Sequence, residues 1–222
     1  MQPDYQALMV SESRDLASLL ERLSAEQWDA PSLCAGWRVK DVVAHMAVGH
    51  TMSVLGFGAA VVRNGFRVNA ASYALATSYA DTHSGGEILA LFREGTAGAP
   101  RAAARFVPIR ELFTDHLVHH QDIRRPLGLP RLITVDRLEA ALTALPTLSS
   151  RVGSRRRMAG LRVVATDIDF AYGEQGRPEL RGPSEALIMA LTGRAEALVE
   201  LSGGALPLLA DRVPLMTTGV LR

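Results

Sequence analysis

Between Val42 and Val62 the chain carries no formal charge, over a length close to the ~20 residues of a membrane span. The same segment holds His45, His50, Thr51 and Ser53, whose polar atoms would need partners in hydrocarbon, and no second segment of this kind follows. A helix buried on most sides within a bundle satisfies both observations. Such a helix is not stable alone, so the rest of the chain must supply amphipathic partners.

Apolar spacing identifies them. Leu8, Met9, Leu16, Leu19, Leu20 and Leu23 recur at three- and four-residue steps between Asp4 and Leu23, which predicts a first helix. An ordered loop from Ser24 to Gly36, pinned by Trp28, Leu33 and Trp37, leads to a second helix that starts near Arg38 and runs to about Val62, loosened near Gly56 and Gly58. The stretch from Gly65 to Asp81 is ambiguous. Ser84 and Glu87 form a capping-box pair that places a third helix over Gly85–Gly95. Pro108 suits the first turn of a fourth, on which Ile109, Leu112, Phe113, His116, Leu117, His120 and Ile123 keep helical spacing until Leu127-Gly128-Leu129-Pro130 stops it. A shorter helix follows from Thr134 to Leu148.

The pattern changes after Ser149. Arg151 to Gly160 is basic and without period and reads as a surface connector. Leu161 to Tyr172 alternates as a strand, Gly173 to Gly176 turns, and Pro178 to Gly182 returns as the second strand of a hairpin. A strong helix over Ser184–Leu201 ends at Gly203-Gly204. The expected fold is mainly α: an antiparallel four-helix bundle over residues 1–150 and a small α+β appendage, hairpin plus helix, over 151–222.

Charge and cysteine usage narrow the function classes. Twenty-four basic against 23 acidic side chains leave a formal charge of +1, so no global field draws the protein to nucleic acid or an anionic membrane. Lys40 is the only lysine, a skew towards arginine that codon bias explains more simply than anion recognition. The single cysteine, Cys34, cannot form an internal disulfide, and the first thirty residues lack a secretory pattern, so a reduced, cytoplasmic protein is expected. Cys34 reads as packing beside Trp37 in preference to a nucleophile.

The histidines are unevenly placed. His116, His119 and His120 lie within five residues of one helix, and His45 sits at the apolar centre of another. Residues four apart share a helix face, so Asp115 with His119, and His116 with His120, each offer two ligands from one helix, and His45 offers a third from another. Three protein ligands with one open position is the arrangement of catalytic zinc. Spacing alone leaves open a hydrogen-bonded core histidine at 45 and a solvated surface cluster at 116–120.

The string CAGWRVKDVVAHM, Cys34 to Met46, resembles the Cys-x-Gly-Trp-(x)3-Asp-(x)3-His signature of the DinB/YfiT-like metal-binding superfamily, in its mycothiol-dependent maleylpyruvate isomerase family. DHLVHHQDIRRPLG, Asp115 to Gly128, is similar to that family's acidic-(x)3-His-(x)2-Asp element, and Val163 to Arg194 resembles the shortened C-terminal module of many uncharacterised members. The resemblance implies a DinB-like bundle that holds one divalent metal, usually zinc, through His45, Asp115 and His119. Family members commonly carry glutamate where this chain has Asp115, which shortens the reach by one methylene and leaves His116 or His120 as substitute ligands.

Asp122, three residues beyond His119, is placed to accept the second ring N–H of a liganding histidine, and Asp41, one turn before His45, to serve similarly or to meet the helix dipole. Arg124 and Arg125 could clamp a carboxylate or offset the helix C-terminus. What the resemblance implies in function is a mycothiol-dependent enzyme that activates a low-molecular-weight thiol for addition to an electrophile, ending in isomerisation or thiol transfer. A metal-binding sensor or dimerisation module is the alternative, with Gly49, Gly56, Gly58 and Ala59 allowing close helix approach in a homodimer. The expected partners are therefore a small-molecule thiol and its electrophilic substrate, without nucleic acid or membrane.

Overall fold

The computed structural model describes residues 3–213. They group into two compact units that meet in sequence between Pro130 and Arg131. The helix expected from Thr134 falls in the second unit, where it packs on a later helix, rather than in the bundle with which the sequence grouped it.

The first unit contains α1 (Tyr5–Leu20), α2 (Ala25–Asp29), α3 (Val39–Thr51), α4 (Val54–Arg63), α5 (Val68–Thr82), α6 (Gly85–Thr96) and α7 (Ile109–Arg124). Helices α1, α3, α6 and α7 form a four-helix bundle around Leu16, Leu20, Val42, Val43, Met46, Ile88, Phe92 and Ile123, all buried. Side-chain pairs fix its directions. Tyr5 meets Phe113 and Glu12 meets His120, so α1 and α7 run parallel. His45 meets His119 and His50 meets His116, so α3 opposes α7. Gly95 lies against His50, while Gly85 lies under Trp28 in the segment whose Ala30 carbonyl accepts the Val39 amide, so α6 runs with α3. Two parallel pairs thus oppose each other, and because α3 and α6 point the same way the chain needs the long crossover that α4 and α5 provide.

The uncharged segment is not one helix. Thr51 bonds back to the Ala47 carbonyl, Met52 is extended, and Ser53 caps a new helix by accepting the Gly56 amide, so the break falls before the glycines rather than at them. α3 is buried along most of its length, whereas α4 buries only Ala60. The ambiguous stretch from Gly65 forms α5, whose buried face is Ala71, Ala76 and Ala80. Alanine gives hydropathy patterns little contrast, which is why the helix was not legible. The capping box at Ser84 forms as expected, with Glu87 N–H on Ser84 Oγ at 3.3 Å and Ser84 N–H on Glu87 Oε2 at 2.7 Å.

The second unit contains α8 (Val135–Ala144), α9 (Ser154–Met158), β1 (Arg162–Ala165), β2 (Ala171–Tyr172), β3 (Glu179–Gly182), α10 (Ser184–Leu191) and α11 (Leu206–Ala210). The expected strand from Leu161 to Tyr172 is itself the hairpin: β1 pairs antiparallel with β2, Val163 opposite Tyr172. β3 pairs parallel with β1 on its other side, so the sheet order is β2-β1-β3. The basic connector is partly built into the fold, since Ser154 and Met158 are buried and Ser154 Oγ donates to the Leu145 carbonyl at 2.6 Å. The helix expected over Ser184–Leu201 stops at Leu191, because Gly193 takes φ 107°, and continues as a 3-10 turn over Ala195–Glu200. No helix among the described residues is long and apolar enough to cross a membrane.

Candidate metal centre

The Gly-Trp string supplies one wall of the site. Between α2 and α3 the chain is tied by Ser32 N–H to the Trp37 carbonyl and Val39 N–H to the Ala30 carbonyl, both 2.9 Å. This turn presents Trp37 against His45, with ring centroids 5.1 Å apart, and against His119 at 6.5 Å. It is also fastened to α7, because Leu33 N–H donates to the Asp122 carbonyl at 2.9 Å. α5 closes another side: Ser72 Oγ lies 2.9 Å from His45 Nδ1, and Tyr73 stacks on Trp37.

His45, Asp115 and His119 come together on facing helices, with one donor atom from each lying within 4.8 Å of the others. Asp115 Oδ1 is 3.4 Å from His119 Nε2 and Asp122 Oδ2 is 2.8 Å from His119 Nδ1, so the imidazole stands between two carboxylates. The Asp115 side chain retains 40% of its exposure and His119 only 9%, which makes the Asp115 side the approach from solvent. Burial is the largest single influence and opposes charge on His119, but Asp115, Cys34 and Asp122 together outweigh it and raise the imidazole well above its usual range. Asp115 is held well below the carboxylate range despite its own desolvation, chiefly by His119. The place between them calls for positive charge, and two imidazoles with one carboxylate form a donor set suited to zinc. A second group, Cys34, His119 and Asp122, shares His119 through its other face: Cys34 Sγ donates to Asp122 Oδ2 at 3.1 Å and lies 3.7 Å from His119 Nδ1.

The Mycothiol maleylpyruvate isomerase N-terminal domain model matches residues 10–124, more than half of the chain. The chain belongs to this family. Its fold is similar to two solved structures, a mycothiol-dependent maleylpyruvate isomerase at 13% identity and TM-score 0.58, and a histidine-to-alanine variant of that enzyme at 12% and 0.59. Each match covers 91% of this chain and 92% of the other, so the C-terminal module that the sequence read as shortened is not short beside those structures. A search of curated protein sequences finds no match. Both strings that carry the candidate ligands lie in or begin within the matched span, and in this family member the bundle is what brings them together.

The remaining sequence candidates go elsewhere. His116 and His120 are one residue round α7 from Asp115 and His119, which turns them towards α1. Ser13 Oγ donates to the Met9 carbonyl at 2.8 Å and so accepts His116 Nδ1–H at 2.7 Å. His116 Nε2 is then the acceptor for His50 Nε2 at 2.9 Å, and His50 Nδ1 is buried without a hydrogen-bond partner. Burial, then His50, pushes His116 down to about 3, and burial lowers His50 as well. His120 Nδ1 lies 2.7 Å from Glu12 Oε1 and its Nε2 accepts Arg124 Nε–H at 2.9 Å. Neither histidine is therefore placed as a substitute ligand. Arg124, a candidate anion clamp, also donates to the Pro130 carbonyl at 2.9 Å and ties off the helix end, while Arg125 occupies the C-cap of α7, half-buried. Asp41 does not reach His45: its carboxylate accepts Arg38 N–H and Nε–H, both 2.8 Å, at the start of α3.

Sequence reasoning passed over Ser72, Glu12 and Ser13. Ser72 sits on the helix with no readable period. Glu12 and Ser13 did leave a signal, since they fall in the buried stripe between Met9 and Leu16, where polar residues need partners.

Proposed function

We propose that this protein is a mycothiol-dependent metalloenzyme that uses a divalent cation, zinc by its donor chemistry, to activate a low-molecular-weight thiol for addition to an electrophilic substrate, in isomerisation or thiol transfer. The observation that carries the reading is the convergence of His45, Asp115 and His119 from two opposed helices, inside the span of the family match. A cation held there would lower the pKa of a thiol and position it for attack. The chain's own residues do the rest. Ser72 at Nδ1 of His45 and Asp122 at Nδ1 of His119 fix both rings so that each Nε2 is turned to ligation. Asp115 supplies the negative charge, and Trp37 and Tyr73 form an apolar wall that keeps water from the imidazoles. A reduced, cytoplasmic setting would suit a thiol cosubstrate.

Metal content of the purified protein, with and without His45→Ala, tests the reading. About one zinc per wild-type chain after reconstitution and a large loss in the variant are expected; a wild type that takes up no divalent metal ends it. Metal-dependent conjugation or isomerisation of electrophiles with mycothiol then tests turnover. A second reading, a non-catalytic metal sensor or dimerisation module, draws on the outer surface of α4, where Leu55 is 87% exposed and Val62, two turns on, 57%. Stoichiometric metal without turnover, together with self-association lost in Leu55→Asp, would favour it.

A further inference from the structure

The turn that carries Trp37 also grips Asp122 at two points with consecutive residues. Leu33 N–H holds its main-chain carbonyl at 2.9 Å and Cys34 Sγ donates to its side-chain Oδ2 at 3.1 Å. Asp122 is fully buried, and Oδ2 is the same oxygen that lies 2.8 Å from His119 Nδ1. Cys34 is itself held in place, its N–H on Ser32 Oγ at 3.1 Å and its carbonyl accepting Trp37 N–H at 2.9 Å. A thiol is a weak donor, so it can orient a carboxylate while leaving most of that oxygen's charge for a stronger donor.

We propose that Cys34 is a positioning residue of the metal centre: its thiol holds the Asp122 carboxylate where it accepts the Nδ1–H of His119, which keeps Nε2 turned towards Asp115 and His45. The proposal rests on the reading of His119 as a ligand, and it assigns the chain's only cysteine to neither attack nor simple packing. A ring nitrogen bound by a carboxylate makes its imidazole a more basic and better-oriented ligand, and loss of such a partner costs ~10–100-fold in metal affinity. Cys34, one step further out, is expected at the low end of that range.

The experiment compares Cys34→Ala, Cys34→Ser, Asp122→Asn and the Cys34→Ala/Asp122→Asn double variant by two measurements. Zinc affinity is read by competition with a chromophoric chelator, and the His119 Nδ1–H resonance by NMR of the metal-free protein. Cys34→Ala is expected to weaken zinc by about tenfold, to shift the Nδ1–H resonance and to speed its exchange with water. Cys34→Ser, which keeps a donor, should recover most of both. In the Asp122→Asn background Cys34→Ala should add nothing further, because its effect runs through that carboxylate. Unchanged affinity and resonance in Cys34→Ala, or losses that add in full in the double variant, overturn the proposal. If Cys34→Ala does not fold, Cys34→Val fills the space without a donor and carries the same comparison. A wild type that binds no zinc defeats the metal reading, and the resonance comparison in metal-free protein then decides the role of Cys34 alone.

Discussion

Helix α7 carries two polar stripes of the same design. Asp115 with His119, and His116 with His120, are both i, i+4 pairs of metal-ligand types, offset by one residue. The 100° between them gives them different neighbours. The first stripe meets α3 and the Trp37 turn, with Asp115 open to solvent, and becomes part of a donor cluster. The second meets α1, where Ser13 and Glu12 each take one ring nitrogen, while His50 and Arg124 take the others. Ligand spacing on a helix states only which pairs are available; the facing helix decides whether they bind an ion or each other. In this bundle the parallel packing of α1 on α7 makes that decision for the second stripe.

Removing a ligand from the donor cluster that the first stripe joins should have the largest effect. His45→Ala or His119→Ala is expected to weaken zinc binding by about 100–1,000-fold, the share of one ligand in a site of this kind, while unfolding of the metal-free protein changes far less. Chelator competition and chemical denaturation measure the two sides. The contrast between the stripes fails if His120→Ala costs zinc affinity as much as His119→Ala does.

The second stripe should answer in stability. Glu12→Ala removes the partner of His120 Nδ1 from a fully buried pair, and breaking a buried pair in this way costs about 3–5 kcal/mol. Zinc affinity of the variant protein that remains folded should stay within a few-fold of wild type. A stability change below about 1 kcal/mol would mean that the second stripe is not the structural one.

How much of this the sequence discloses depends on contrast. The bundle helices, the capping box at Ser84 and the residues of the first stripe are legible because leucine and valine alternate with charge, and because the two strings bring their own spacing. α5 is not legible, since its buried face is alanine and its site residue is a serine. The hairpin was misplaced because β1, its turn and β2 fit inside one run of alternating residues, with the parallel partner β3 beyond it. The α1 partners of His116 and His120, Ser13 and Glu12, lie more than a hundred residues away in the chain, beyond the reach of any local pattern. Only the polar pair Glu12 and Ser13, interrupting an apolar stripe, hinted at them.

The His50–His116 contact separates the stripes by pH in the metal-free protein. Both rings are lowered by burial, His116 to about 3, so they contribute stability that is complete above the unfolded histidine value of about 6.5 and is lost as pH falls towards 3. His119 has the opposite sign. Its raised value gives stability already complete below about 6.5, so it adds no slope in the same interval, and the depressed Asp115 is lost only below the unfolded aspartate value near 4. Between about pH 6.5 and 5 His116 should therefore cost stability on the order of 1 kcal/mol, with His50 acting in the same direction. Denaturant titrations at the two pH values check it, and a flat profile would show that the buried pair accepts a proton without unfolding.

The smallest effect tests reach rather than identity. Asp115 Oδ1 stands 3.4 Å from His119 Nε2, and the family resemblance suggests a longer acid at this place. Because the Asp115 side chain is 40% exposed, an added methylene has solvent-side room and should not disturb the core. Asp115→Glu is expected to keep zinc binding and to change its affinity by less than about tenfold, ~1.4 kcal/mol, in the direction of tighter binding. Asp115→Asn, which retains the shape and loses the charge, should weaken it by more. If glutamate weakens zinc as much as asparagine does, the first stripe is tuned to the short side chain, and the register of α7 against α3, rather than the reach of the acid, sets the geometry of the centre.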